Sequence, residues 1–163
     1  MPVTSIDKDV DAHTLVVTSD FPAPVERLWR LWTDPRQLEQ WWGPPGYPAT
    51  FDGTAVEPGN RVGYVMTSPE GETFGGYWDI DGVEAPRRLS FRDGFADADG
   101  NPQDGMPVGR IEVELREHDG GTRVVSTTVY ETADDLEKVL AMGMEEGLTQ
   151  AIGQLDEILA AER

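Results

Sequence analysis

The sequence predicts an α+β domain: an antiparallel sheet of about seven strands packed on a long C-terminal helix. Three observations carry this. Strand-like runs follow one another through the middle of the chain, separated by short turns rich in Gly and Pro. An apolar stripe at helical spacing fills the C-terminal segment. Two short helical patterns sit directly after the first strand. With 163 residues, the chain can bury one self-supporting core.

Residues 1–12 carry Asp7, Asp9 and Asp11 and read as a flexible N-terminal tail, which leaves 13–163 as a single domain. In His13–Phe21, Leu15, Val17 and Phe21 alternate with Val16, Thr18 and Asp20, the pattern of a strand. Pro24 then opens a helix, where a missing N–H costs nothing. Val25, Leu28, Trp29 and Trp32 supply its buried stripe. Asp34-Pro35 starts a second, shorter helix, with Asp34 as cap and Gln37 at the capping-box position. That helix carries Leu38, Trp41 and Trp42, and Gly43-Pro44-Pro45-Gly46 stops it.

Six further strand pieces follow: Ala49–Val56, Arg61–Thr67, Thr73–Val83, Arg88–Arg92, Val108–Glu117 and Thr122–Tyr130. The breaks between them are mostly short, which favours sequential antiparallel hairpins; Asp93–Pro107 reads as a long loop. Ile111, Val113 and Leu115 face one way, and Arg110, Glu112, Glu114 and Arg116 the other, so the sheet has one dry and one wet face. Thr132 caps the final helix, Ala133–Ala161, with Asp134 and Asp135 in its first turn. Leu136, Leu140, Met144, Leu148, Ile152, Leu155 and Leu159 mark one face of it. At 1.5 Å per residue it would run roughly 40 Å and needs a broad partner, which the dry face supplies. Gly143 and Gly147 each cost about 1 kcal/mol of helix propensity relative to Ala. They mark either close backbone packing or a space left open.

Several segments together carry a family likeness. They are Phe21–Pro44 (FPAPVERLWRLWTDPRQLEQWWGP), Gly75-Gly76-Tyr77 with Ile80, Pro86-Arg87-Arg88-Leu89-Ser90-Phe91, and Gly143-Met144-Glu145-Glu146-Gly147-Leu148 through Leu155. They resemble the SRPBCC superfamily, which has the START-like helix-grip fold, in the branch named for the activator of heat-shock-protein-90 ATPase. The resemblance implies a curved sheet gripping the C-terminal helix, with a cavity between them. It also admits several functions, because the superfamily holds lipid and sterol carriers, polyketide cyclases, hormone receptors, oxygenase domains and co-chaperones.

Composition narrows the choice. Thirteen basic and 31 acidic residues give a net charge of −18, which repels phosphate backbones and anionic membranes. Neither a nucleic acid nor a membrane is therefore expected as partner. The absence of cysteine excludes a disulfide scaffold, a thiol nucleophile and a cysteine zinc site. No run is apolar enough for a membrane span, and residues 1–12 lack signal-peptide character, so a cytoplasmic location is expected. There is no phosphate-binding glycine loop and no nucleophile elbow. His13 and His118 fall outside the dry face. Asp97, Asp99, Asn101 and Asp104 miss calcium-loop spacing, with Pro102 and Val108 where Gly and Glu are needed. Glu112 with Glu114, and Asp79 with Asp81, share a face pairwise. Carboxylates in water keep ordinary acidity and make poor general acids. No catalytic residue, metal or cofactor is expected.

One feature exceeds structural need: Trp41, Trp42, Tyr64, Met66, Tyr77, Trp78, Phe91, Met142 and Met144 come from the second helix, the sheet and the last helix. Tyr77 and Trp78 must point to opposite faces, and Trp78 is expected inward with Phe74 and Ile80. The expected ligand site comprises Trp42, Tyr64, Met66, Trp78, Phe91, Met144 and Gly147, between the last helix and the sheet. The function this predicts is a non-enzymatic module for a small apolar molecule, as monomer or homodimer. The alternatives are a chaperone-interacting protein of the heat-shock-protein-90 activator type and a polyketide cyclase-type enzyme.

Overall fold

A computed structural model describes residues 2–162. Its strands are β1 (Val3–Asp9), β2 (Thr14–Phe21), β3 (Ala49–Phe51), β4 (Arg61–Thr67), β5 (Thr73–Glu84), β6 (Arg88–Ala96), β7 (Gly109–His118) and β8 (Gly121–Val129). They form one curved antiparallel sheet in the order β1-β2-β8-β7-β6-β5-β4-β3. Every pair from β3 to β8 is a sequential hairpin, as short Gly and Pro turns dictate. Helices α1 (Val25–Thr33) and α2 (Pro35–Leu38) follow β2, and α3 (Ala133–Ala141) and α4 (Met144–Ala161) close the chain. This is the helix-grip arrangement expected from the sequence.

Four differences from the sequence reading bear on the site. Residues 3–9 are an edge strand, where a tail was expected; residues 1 and 163 lie outside the description. Val3 and Ile6 pack on the core, but a register shift between Val3 and Ser5 breaks the alternation that would have announced a strand. Second, the C-terminal helix is broken. Gly143 takes a left-handed conformation (φ 88°) between α3 and α4, where glycine is the residue of choice. A side chain there would meet nothing within 4 Å, so Gly143 serves the backbone turn and not close packing.

Third, β6 continues through Asp93 to Ala96, pairing with β5 as far as Gly75, so the loop begins later than expected. Fourth, α2 ends at Leu38, which places Trp41 and Trp42 in the turns after it. Its cap is as read: the Asp34 carboxylate accepts from the Arg36 N–H. In α1 the buried residues are Val25, Leu28, Leu31 and Trp32; Leu31 takes the place expected for Trp29. Trp78 and Ile80 face inward, but Phe74 is 51% exposed at the end of the sheet, against Tyr47.

An aromatic cluster fills the core between α1, the turns after α2 and the sheet. Trp32 and Trp41 lie 4.7 Å apart, Trp42 and Trp78 4.9 Å, and Trp78 stacks on Phe91 at 4.0 Å. Edge and offset geometries of this kind add to the burial gain. Several arginines are already committed, among them Arg27 to Glu162, Arg61 to Asp79, Arg88 to Glu112 and Glu114, and Arg123 to Asp20. Most of the acids therefore have no cation beside them. The melting midpoint is expected to rise from low to molar NaCl, as the Debye length falls from ~10 Å at 0.1 M to ~3 Å at 1 M. A flat or falling midpoint would mean the ion pairs already neutralise the acid.

Candidate functional site

The inner face of β6 reads Leu89, Phe91, Asp93, Phe95. Leu89 and Phe91 fill the core; one step further along the strand, the side chain is a carboxylate. Its cross-strand neighbours are Trp78 on β5 and Gly109 on β7. Two glycines make room around it. Tyr64 on β4 lies across Gly76 of β5, whose missing Cβ would sit 2.2 Å from the Tyr64 ring. Its hydroxyl thereby reaches over one strand and donates to Asp93 Oδ1 at 2.8 Å. On the other side, the Tyr130 ring lies over Gly109, whose Cβ would stand 3.1 Å away from it.

A cavity of about 220 Å³ opens above this group. Its floor is Tyr64, Met66, Asp93, Ile111, Ser126 and Thr128 from the sheet, with Tyr130 beyond β8. Its walls are Trp32, Trp42 and Pro44, and its roof is Met144, Gly147, Leu148 and Ala151 of α4. A second recess of about 240 Å³ shares Tyr64, Asp93, Tyr130 and Met144 and runs out to Pro107 and the helix break at Met142–Gly143. Met142, at the rim, is 54% exposed. The left-handed turn at Gly143 thus sets the edge of the opening.

Among the described residues no cation lies beside Asp93. Burial pushes its carboxyl up to about 7, against a smaller opposing pull from the Tyr64 hydrogen bond. Burial also raises the Tyr64 phenol well above its usual value, with the Asp93 charge adding to it. Tyr130 is raised by burial, then by the charges of Asp93 and Asp135. Among the described residues, nothing donates to the second Asp93 oxygen, and no Lys, Arg or His borders the cavity. The buried indole N–H groups of Trp32, Trp42 and Trp78 have no partner either, although Trp41 donates to the Leu31 carbonyl at 2.8 Å. A buried donor left unpaired costs about 1–3 kcal/mol.

Of the residues read from the sequence, Trp42, Tyr64, Met66, Met144 and Gly147 border the cavity. Trp78 and Phe91 do not; they stack on each other in the packed core beneath it. Tyr77 lies on the outer face with the Arg61 guanidinium 4.7 Å from its ring centre. Asp93, Tyr130, Ser126 and Thr128 escaped the sequence reading. Their signal was a polar residue in a dry-face register: Asp93 after Leu89 and Phe91, and Ser126 and Thr128 after Val124. The acid pairs weighed from sequence are on the outer face, with Glu112 and Glu114 both on Arg88 and Asp79 on Arg61. His118 contacts Asp119 at 3.3 Å, and His13 bonds the Tyr130 carbonyl. Among the described residues no three His, Cys, Asp or Glu are grouped to hold a metal, and no helix is long and apolar enough to cross a membrane.

Residues 22–160 match the family model described as activator of Hsp90 ATPase homolog 1-like protein. The chain belongs to this family. It is 48% identical to protein Ms6760 from Mycobacterium smegmatis, over 97% of each chain, with a TM-score of 0.90. The solution structure of an Arthrobacter aurescens protein is 42% identical, covering 98% of this chain and 92% of that one, with a TM-score of 0.93. A Rhodobacter sphaeroides protein is 27% identical over 96% of this chain and 98% of that one, at a TM-score of 0.83. No curated protein matches.

Proposed function

We propose that the protein binds a small, largely apolar molecule in the cavity between α4 and the sheet. The observation that carries this is the lining: apolar walls from Trp42, Met66, Ile111, Met144 and Leu148, with one convergent polar group at Asp93. Binding sites for small molecules have this composition. The volume, about 220 Å³, lies below the ~300–1,000 Å³ of drug-sized pockets, so the occupant is small. Gly147 keeps the roof open. A Cβ there would stand 3.6 Å from Pro44 Cγ, an ordinary contact, so nothing about packing demands glycine.

The test is the neutral, environment-sensitive dye N-phenyl-1-naphthylamine. Wild type is expected to enhance its fluorescence, and Gly147→Leu to weaken its binding at least about tenfold, by filling the space. Met144→Trp fills the same space from the next turn and serves if Gly147→Leu fails to fold. Absence of dye binding by wild type, or equal binding by a folded filled variant, would overturn the reading.

One observation favours a second reading, catalysis of the cyclase type. A carboxyl that titrates at about 7 is matched to proton abstraction near neutral pH. On that reading Asp93 is the general base, and Asp93→Asn abolishes turnover while leaving binding in place.

A further inference from the structure

Resting on the ligand-binding reading, we propose that the cavity selects a small apolar amine, held as a cation against Asp93. The argument begins with what surrounds that carboxylate. β4 presents Tyr64, β5 presents Gly76 and Trp78, β7 presents Gly109 and Ile111, and β8 presents Ser126 and Thr128. Tyr130 follows β8; α3 contributes Val139 and α4 contributes Met144, Gly147, Leu148 and Ala151. Tyr64 and Tyr130 are the titratable groups in this set, and both are held neutral by burial. The surroundings provide no positive charge.

A half-buried carboxylate without a counter-ion is less favourable than a paired one, and a ligand that shuts solvent away from it raises that cost unless it supplies the charge. Among the described residues the polypeptide supplies none, and one carboxylate oxygen faces the cavity without a protein donor, so a ligand that excludes solvent there must bring the charge itself. An ammonium group fits what the carboxylate requires. It carries N–H donors for the open oxygen, in a charge-assisted bond. It is attracted to the faces of the Trp42, Tyr64 and Tyr130 rings that border the same space. The net charge of −18 draws cations toward the mouth and turns anions away. A fatty-acid carboxylate would be set against Asp93 with no cation to receive it. A neutral alcohol would need no more than an asparagine or serine at this position.

The experiment compares three probes with one apolar body: 3-phenylpropylamine, 3-phenylpropan-1-ol and 3-phenylpropanoate. Each displaces N-phenyl-1-naphthylamine from the wild-type protein at pH 8. The amine is expected to displace the dye at a concentration about tenfold or more below that of the alcohol, and the acid to be weakest. Asp93→Asn is expected to bring amine and alcohol within about twofold of each other while still binding the dye. Wild type gives an independent reading, should that variant not fold. Between pH 8 and pH 5 the amine stays charged while Asp93 takes up its proton. The amine-over-alcohol preference should therefore collapse below about pH 7, with alcohol binding unchanged. Equal displacement by amine and alcohol at pH 8, or a preference that survives Asp93→Asn or acid, overturns the amine assignment while dye binding still stands. If wild type does not bind the dye, both readings fall.

Discussion

Asp93→Asn is expected to make the empty protein more stable at pH 8, by about 4 kcal/mol at most. In the unfolded chain this carboxyl ionises near its ordinary value of 3.8, and in the native state at about 7. Between those values the unfolded chain has released a proton that the native state keeps. The contribution of Asp93 to stability therefore falls as pH rises from about 4 to about 7, and stays at its low level above that. Asparagine has no such titration, and its amide oxygen still accepts from Tyr64. Other carboxylates act in the opposite sense: Asp20, held low by its hydrogen bond to Arg123, and Glu162, held low by Arg27, contribute stability that is lost in acid. The quantity to measure is thus the difference between variant and wild type in denaturant unfolding, from pH 4 to pH 8. It should be small at the acid end and grow toward pH 7. A variant less stable than wild type at pH 8 would show that the native state compensates the ionised carboxylate. Stability given up at one position, where a neutral residue would do better, is what a functional group looks like in an otherwise consistent fold.

The fold was legible because its signals are local. Hairpin turns, the Thr132 and Asp34 caps, and the alternation in β2 and β7 each say the same thing as the whole. The misses have specific causes. The β1 strand carries a register shift, so Val3 and Ile6 fall three apart where alternation needs two. Gly143 was seen inside a continuous apolar stripe, yet its positive φ splits the helix, and a stripe alone does not reveal backbone sign. The site was half legible. Aromatic and Met residues stood out by composition, and Trp42, Tyr64, Met66 and Met144 do meet at the cavity. Asp93 was lost because an acid flanked by Arg92 and Gly94 reads as the start of a loop. The pairing of β6 with β5 and with β7 shows that the strand continues and turns Asp93 inward. Trp78 and Phe91 were placed in the ligand site because inward-facing aromatics look alike in sequence, whether they border a void or fill one.

Gly76→Ala is expected to cost about 1–3 kcal/mol and to push the Asp93 carboxyl higher still. The added methyl would lie 2.2 Å from Tyr64 Cζ and 2.3 Å from its hydroxyl oxygen, so the ring must swing away. Phe51 stacks on that ring at 5.3 Å and Trp42 meets its edge at 6.0 Å, and both contacts are disturbed by the movement. The hydrogen bond from Tyr64 opposes the effect of burial on Asp93, so its loss raises the carboxyl above about 7. Tyr64→Phe removes the same bond with no clash. It should move the Asp93 titration in the same direction at a smaller stability cost, about 1 kcal/mol. Because both changes act through one bond, the double variant should titrate like either single variant rather than showing the sum. Gly109→Ala provides the control. Its methyl would press Thr128 Cγ2 at 2.9 Å and the Tyr130 ring at 3.1 Å, which strains the sheet without touching the Tyr64 bond. Thermal melts together with an NMR titration of the Asp93 carboxyl carbon separate these cases. Were Gly76→Ala to leave that titration in place, or Gly109→Ala to shift it equally, general strain would explain the result. The reach of Tyr64 across Gly76 would then not be what holds the carboxylate.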